Sequence, residues 1–266
     1  MTKRHLLTIL LLFSSLSLFA DDEITEPVPS PARSGVRWSL GLGVISSPRP
    51  YVGANNSILP IPLVELYYKK FYVQGIQAGF HLFENGDFVI DARAGIVFAG
   101  LDPNDSPDLE GLTERKSSIE GGVVVDWTPG KFKLSASAYT DLLGRSDGQQ
   151  IGLDLSRAWT FNDYRWGLTP SIGFVWQSGN FVDYYVGVTP GEAAPGRPAY
   201  EPGSAVNFRS SLFVYFMISH RVTAVGLLRV QRLDNEIYSS PIVDKQRAYF
   251  GLVGITYKFG KLQTGP

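Results

Sequence analysis

The chain has 266 residues, 18% of them charged, no cysteine and a formal net charge of −1 at neutral pH. This balance offers no basic excess for nucleic acid, and the lack of cysteine excludes disulfides, thiol nucleophiles and thiolate metal sites. Beyond the N-terminus no stretch holds the ~18 apolar residues of a membrane-crossing helix, so a membrane location requires a closed β-barrel, the other way to satisfy backbone groups in lipid.

Lys3 and Arg4 precede an apolar run from Leu6 to Phe13, interrupted by Thr8, and small or apolar residues continue to Ala20. That layout predicts a secretory signal peptide over residues 1–20, cleaved after Ala20. Its removal takes Lys3, Arg4 and His5 with it and leaves 22 basic against 25 acidic residues, a net of −3. Export into an oxidising compartment without a cysteine is compatible with an outer-membrane destination. Residues 21–35, acidic and carrying Pro27, Pro29 and Pro31, read as a flexible periplasmic segment.

From residue 36 to 259 the pattern is alternation. Val36, Trp38, Leu40, Leu42 and Val44 are spaced by Arg37, Ser39, Gly41 and Gly43. Period two is the signature of a strand, and an apolar outer face over small or polar inner residues is what a membrane barrel needs. Phe88, Ile90, Ala92 and Ala94 alternate with Asp91 and Arg93, and Ile119 to Trp127 alternates with Glu120 and Asp126. Thr128-Pro129-Gly130 marks the turn into the next strand. Such charges do not suit a dry sandwich core, whereas in a barrel they can line a hydrated lumen and pair there.

The segments predict twelve antiparallel strands over 36–46, 58–68, 71–82, 87–98, 118–128, 131–141, 149–159, 164–177, 181–188, 204–218, 221–232 and 247–259. An even count fits single-chain bacterial barrels. The segment 181–188 is the weakest, since Tyr184-Tyr185-Val186-Gly187-Val188 also fits a long external loop, which would leave ten strands. With both ends in the periplasm, segments 47–57, 189–203 and 233–246 face outward and 99–117 lies on the periplasmic side; an error of one strand reverses this. Aromatics such as Trp38, Tyr68, Trp127, Trp159, Tyr164 and Trp166 sit near strand ends, where membrane interfaces favour them. In the last strand Tyr249, Gly251, Val253, Ile255, Tyr257 and Phe259 share a face, similar to the terminal signal read by the barrel-assembly machinery. Leu252 and the tail 260–266 after Phe259 depart from it.

Several short segments, in order, resemble the MipA/OmpV family of outer-membrane proteins. They are Gly41-Leu42-Gly43, Pro50-Tyr51-Val52-Gly53, Leu59-Pro60-Ile61-Pro62 with Tyr67, Glu120-Gly121-Gly122, Tyr184-Tyr185-Val186-Gly187-Val188, Tyr200 with Pro202-Gly203, and Ser240-Pro241-Ile242-Val243 before Tyr257 and Phe259. The resemblance implies an outer-membrane barrel that joins an MltA-type lytic transglycosylase to a murein synthase. Other relatives are described as porin-like proteins, adhesins or antigens. The implied surroundings are outer-membrane lipid and lipopolysaccharide, with the assembly machinery as a partner during biogenesis.

Catalysis has little to draw on. Of three histidines, His81 falls at a strand end and His220 lies in the Ser219-His220-Arg221 turn. Adjacent strand residues point to opposite faces, so Ser219 and His220 read as a polar turn rather than a dyad. Asp102, Asn104, Asp105, Asp108 and Glu110 form an acidic loop interrupted by Pro103 and Pro107, without calcium-loop spacing. It is a partner-contact surface if it faces the periplasm. Gly144-Arg145-Ser146-Asp147-Gly148 lacks the lysine and helix of a phosphate loop and reads as a turn. No catalytic, cofactor or metal site is expected, and the open question is scaffold against channel.

Overall fold

The computed structural model describes residues 37–46, 49–54, 58–97 and 100–259. The expected signal peptide, the 21–35 segment and the 260–266 tail lie outside the described residues. One antiparallel sheet contains β1 (Arg37–Ser46), β2 (Ile58–Tyr68), β3 (Phe71–Gln74), β4 (Gln77–Asn85), β5 (Phe88–Val97), β6 (Ser118–Trp127) and β7 (Lys133–Asp141). It continues through β8 (Gln149–Ser156), β9 (Trp159–Phe161), β10 (Trp166–Gln177), β11 (Ala205–Met217), β12 (Val222–Arg232) and β13 (Arg247–Phe259). The sheet closes on itself where Trp38 pairs with Phe259 and Leu42 with Ile255. Strands β8 and β9 pair with β10 in one register, Ser156 opposite Ser171 and Trp159 opposite Leu168. The Arg157 amide bonds Pro170 O between them at 3.3 Å. They are two parts of one stave, and the molecule is a closed 12-strand barrel.

The twelve staves are not the twelve of the sequence reading. The predicted strand 71–82 is two strands, reversed at Gly75-Ile76. Gly75 takes φ +56°, which suits glycine, and its amide bonds Val64 O at 2.7 Å. The predicted strand 181–188 is instead helix α1 (Gly179–Val186), the non-strand alternative left open for this segment. Ser178 caps it by accepting from the Phe181 amide. Its buried residues, Phe181, Val182, Tyr185 and Val186, follow a helical spacing rather than a period of two. One strand gained and one lost restore the count but change the direction of everything between them. Loop 100–117 therefore lies at the same end as the other long connections, and its placement on the periplasmic side is corrected. Contacts between Arg115 and Glu192, and between Tyr51 and Val243, tie these loops together directly. Long loops mark the extracellular end and short turns the periplasmic end.

Short β3 leaves β2 rising above its neighbour, and among the described residues no strand pairs with Ile58–Leu63 on that side. The Val64 carbonyl points toward β3. Pro60 and Pro62 share its orientation, because backbone groups alternate sides along a strand. Both residues lack the N–H that would stand unpaired at this edge, which is where a sheet tolerates proline. The Leu59-Pro60-Ile61-Pro62 run thereby blunts an exposed edge.

Outward side chains form the lipid-facing band, with Leu40, Leu42, Ile151, Leu153, Ile172, Phe174, Val253 and Ile255 all exposed. At the short-turn end the rings pair across strands: Trp38 with Phe259 at 4.1 Å, Phe161 with Trp166 at 4.2 Å and Phe88 with Trp127 at 5.8 Å. This is the interfacial girdle.

Candidate functional site

The interior has two halves. Under β1, β2, β12 and β13 it is apolar, with Ile45, Ile61, Leu63, Leu227, Phe250 and Leu252 packed together. The opposite wall is polar and paired. Asp91 accepts from Tyr72 Oη at 2.9 Å, lies 2.7 Å from His81 Nδ1 and 3.3 Å from an Arg93 terminal nitrogen. Arg93 Nε donates to Tyr72 Oη at 2.9 Å. Gly79 makes room for this cluster, since a Cβ there would meet the Tyr72 ring at 2.1 Å. Asp154 pairs with Arg209, one bond being Nε to Oδ1 at 2.8 Å, and Lys133 stands 3.6 Å from Asp126. Higher up, a belt of side chains runs along this wall from β6 to β11. Gln150 donates to Glu120 at 2.7 Å, Gln177 to Gln150 at 2.8 Å and Asn207 to Gln177 at 2.8 Å, while Asn207 Oδ1 accepts from the Asp234 amide at 2.8 Å.

These inward groups are buried against one another. Asn207 is 0% exposed, Asp91 1% and Gln77 2%, whereas residues lining an open channel would remain accessible to water. A void lined by Gln77, Arg93, Glu120 and Tyr139 measures about 20 Å³, space for a single water. A concave region of about 1380 Å³, lined by Leu42, Val44, Phe216, Ala224, Val253 and Ile255 among others, lies on the lipid-facing wall. The paired luminal charges expected from Asp91 and Arg93 are present, and both side chains are buried.

The long loops close the extracellular end. Tyr51, Val97, Leu101, Leu109, Leu112, Val188, Ile242 and Val243 pack with the buried face of α1 and with Ile237 of a short helix, α2 (Asn235–Tyr238). Polar ties hold this cap. Arg115 contacts Glu192 at 3.0 and 3.1 Å, and Glu192 also accepts from the amides of Thr113 (2.7 Å) and Thr189 (3.0 Å). Burial works against ionisation of Glu192, but the hydrogen bonds from Arg115 and the two amides outweigh it and hold the carboxyl well below its ordinary range. Arg197 donates to the carbonyls of Asp108, Glu110 and Glu192 at 2.9–3.0 Å. Ser240 donates to Val186 O at 2.6 Å, and Tyr51 donates to Tyr185 O at 3.2 Å, with burial raising the Tyr51 phenol above its usual pKa.

The residues singled out for chemistry fall into structural roles. His81 lies within β4 and faces Asp91, not at a strand end. Ser219 Oγ accepts from the amides of Arg221 (3.3 Å) and Val222 (3.1 Å), so Ser219 and His220 form the β11–β12 turn. Asp102 caps a 3₁₀ turn by accepting from the Asn104 amide at 2.9 Å, and Asp105 pairs with Arg49. In the 144–148 turn, Asp141 accepts from the amides of Arg145 and Ser146, each at 2.7 Å. The Arg115–Glu192 lock escaped the sequence reading because no local pattern joins positions so far apart.

Among known proteins, the "MltA-interacting protein" of Escherichia coli (strain K12) is 29% identical over 231 residues, covering 84% of this chain and 90% of that protein. The "Putative outer membrane protein YiaT" of the same organism is 28% identical, covering 83% and 90%. "Outer membrane protein OmpV" of Vibrio cholerae is 25% identical, covering 68% and 69%. This is an outer-membrane β-barrel, and a family profile described as "MltA-interacting protein MipA" matches residues 40–259, so the chain belongs to the MipA/OmpV family.

Proposed function

We propose that this barrel is a non-conducting scaffold that holds a murein hydrolase and a murein synthase at the outer membrane. The observation that carries the reading is the filled lumen beneath a packed cap: Asn207, Asp91 and Gln77 are buried where a solute path would run. The family relation and the printed name of the Escherichia coli relative support the choice of partner. A filled barrel has only its outer surfaces with which to act.

Periplasmic enzymes would meet the short-turn end. There the exposed Lys69, Lys70, Lys131, Arg165 and Arg221 outnumber Asp87 and Asp163, a surface suited to an acidic partner face. The test is capture of lytic transglycosylase and murein synthase from solubilised envelopes on the tagged barrel. Both should be enriched over an unrelated control barrel, and the double charge reversal Lys69→Glu/Lys70→Glu should weaken capture and its salt dependence. No enrichment of either enzyme would overturn the scaffold reading.

A further inference from the structure

Arg157 stands out on the lipid-facing wall. It continues the outward row of Leu153 and Leu155 toward Trp159. Its guanidinium lies 5.3 Å from the Phe132 ring centre and 4.8 Å from that of Trp159. Its Nε is buried without a hydrogen-bond partner, and among the described residues no carboxylate pairs with it. Arg221, at the same end, has Tyr257 Oη at 3.2 Å. Arg157 has two aromatic faces and no anion.

A bare cation on this wall is destabilising in hydrocarbon and nearly neutral at the interface. Phe132 closes the 128–132 turn opposite Arg157, which places the pair at the periplasmic girdle. The aromatic walls fix the plane of the guanidinium, whose fork matches phosphate oxygens. Exposed Lys131 precedes Phe132 in the chain and adds positive charge to the same turn. We infer that Arg157, seated between Phe132 and Trp159, is a binding site for the phosphate of an anionic phospholipid headgroup in the inner leaflet. The neighbouring apolar wall, including Leu155 and Ile172, receives the acyl chains.

The test is native mass spectrometry of the detergent-solubilised full barrel titrated with phosphatidylglycerol or phosphatidylethanolamine. The wild-type protein should hold phosphatidylglycerol about fivefold more tightly, the worth of one interfacial cation. Arg157→Gln should bring the ratio near one, with folding checked by heat-modifiable migration on gels. The opposite-end control Lys116→Gln should keep the preference, and Arg157→Lys, which keeps the charge but not the planar fork, should reduce it without abolishing it. Equal binding of the two lipids to the wild type overturns the site without recourse to a variant, and so does a preference that persists in Arg157→Gln. Inorganic phosphate is the third arm: if phosphate alone displaces phosphatidylglycerol at millimolar concentration, the site reads a free anion and the lipid assignment fails.

Discussion

At the scale of single residues, Glu192 and Asp91 do comparable work in different settings. Folding holds the Glu192 carboxyl below its ordinary value of 4.5, so the closed cap binds fewer protons there than an opened one. Its contribution is complete above about pH 4.5 and is lost as pH falls further. The protection factors of the Thr113 and Thr189 amides, corrected for intrinsic exchange, should therefore fall on acidification, and Glu192→Gln should remove most of that dependence. The substitution also leaves Arg115 without its charge partner in a mostly buried site, costing about 3–5 kcal/mol of local stability. Asp91→Ala removes the buried carboxylate that Tyr72, His81 and Arg93 share, and a similar loss of about 3–5 kcal/mol should appear as a lower urea midpoint in liposomes. These charges were legible as inward-facing from the alternation around Asp91 and Arg93. Their partners were less so: Tyr72 comes from a strand whose boundary was misread, and Glu192 meets Arg115 only through tertiary folding.

Elements expose where pattern reading works and where it fails. β8 and most of β1, β5 and β6 alternate because each has lipid on one side and, apart from inward Ile45, Val97 and Val124, packed polar or small groups on the other. The Tyr-Tyr-Val-Gly-Val run has high strand propensity, but Phe181, Val182, Tyr185 and Val186 at helical spacing behind the Ser178 cap make this segment α1. Truncating Phe181→Ala should cost the cap about 3–5 kcal/mol and render loop 178–204 sensitive to protease, with the barrel band on gels unchanged. The β3–β4 reversal was hidden because Gly75-Ile76 is only a two-residue turn, set between Gln74 and Gln77 in a stretch that otherwise reads as one strand. The proline pair in β2 makes a separate prediction. Pro60→Ala/Pro62→Ala restores two amide donors at an unpaired edge, each costing about 1–3 kcal/mol if unsatisfied. The double variant should show a lower heat-modification midpoint and more edge-to-edge aggregation during refolding.

For the whole molecule, parity matters more than strand count. Gaining β3 and losing the strand at 181–188 left twelve staves, yet moved loop 100–117 from the periplasmic to the extracellular end. There it supplies Leu101, Leu109, Leu112 and Arg115 to a cap instead of a surface for periplasmic enzymes. The barrel is thus closed above by loops, packed inside by an apolar half and a paired polar half, and left with short, basic turns below. Conductance across planar bilayers tests this most directly. Purified wild-type protein, with insertion verified by protease protection, should give no discrete ohmic steps at neutral pH under applied voltage. Reproducible ohmic steps from the intact barrel would contradict the filled lumen and the scaffold account built on it.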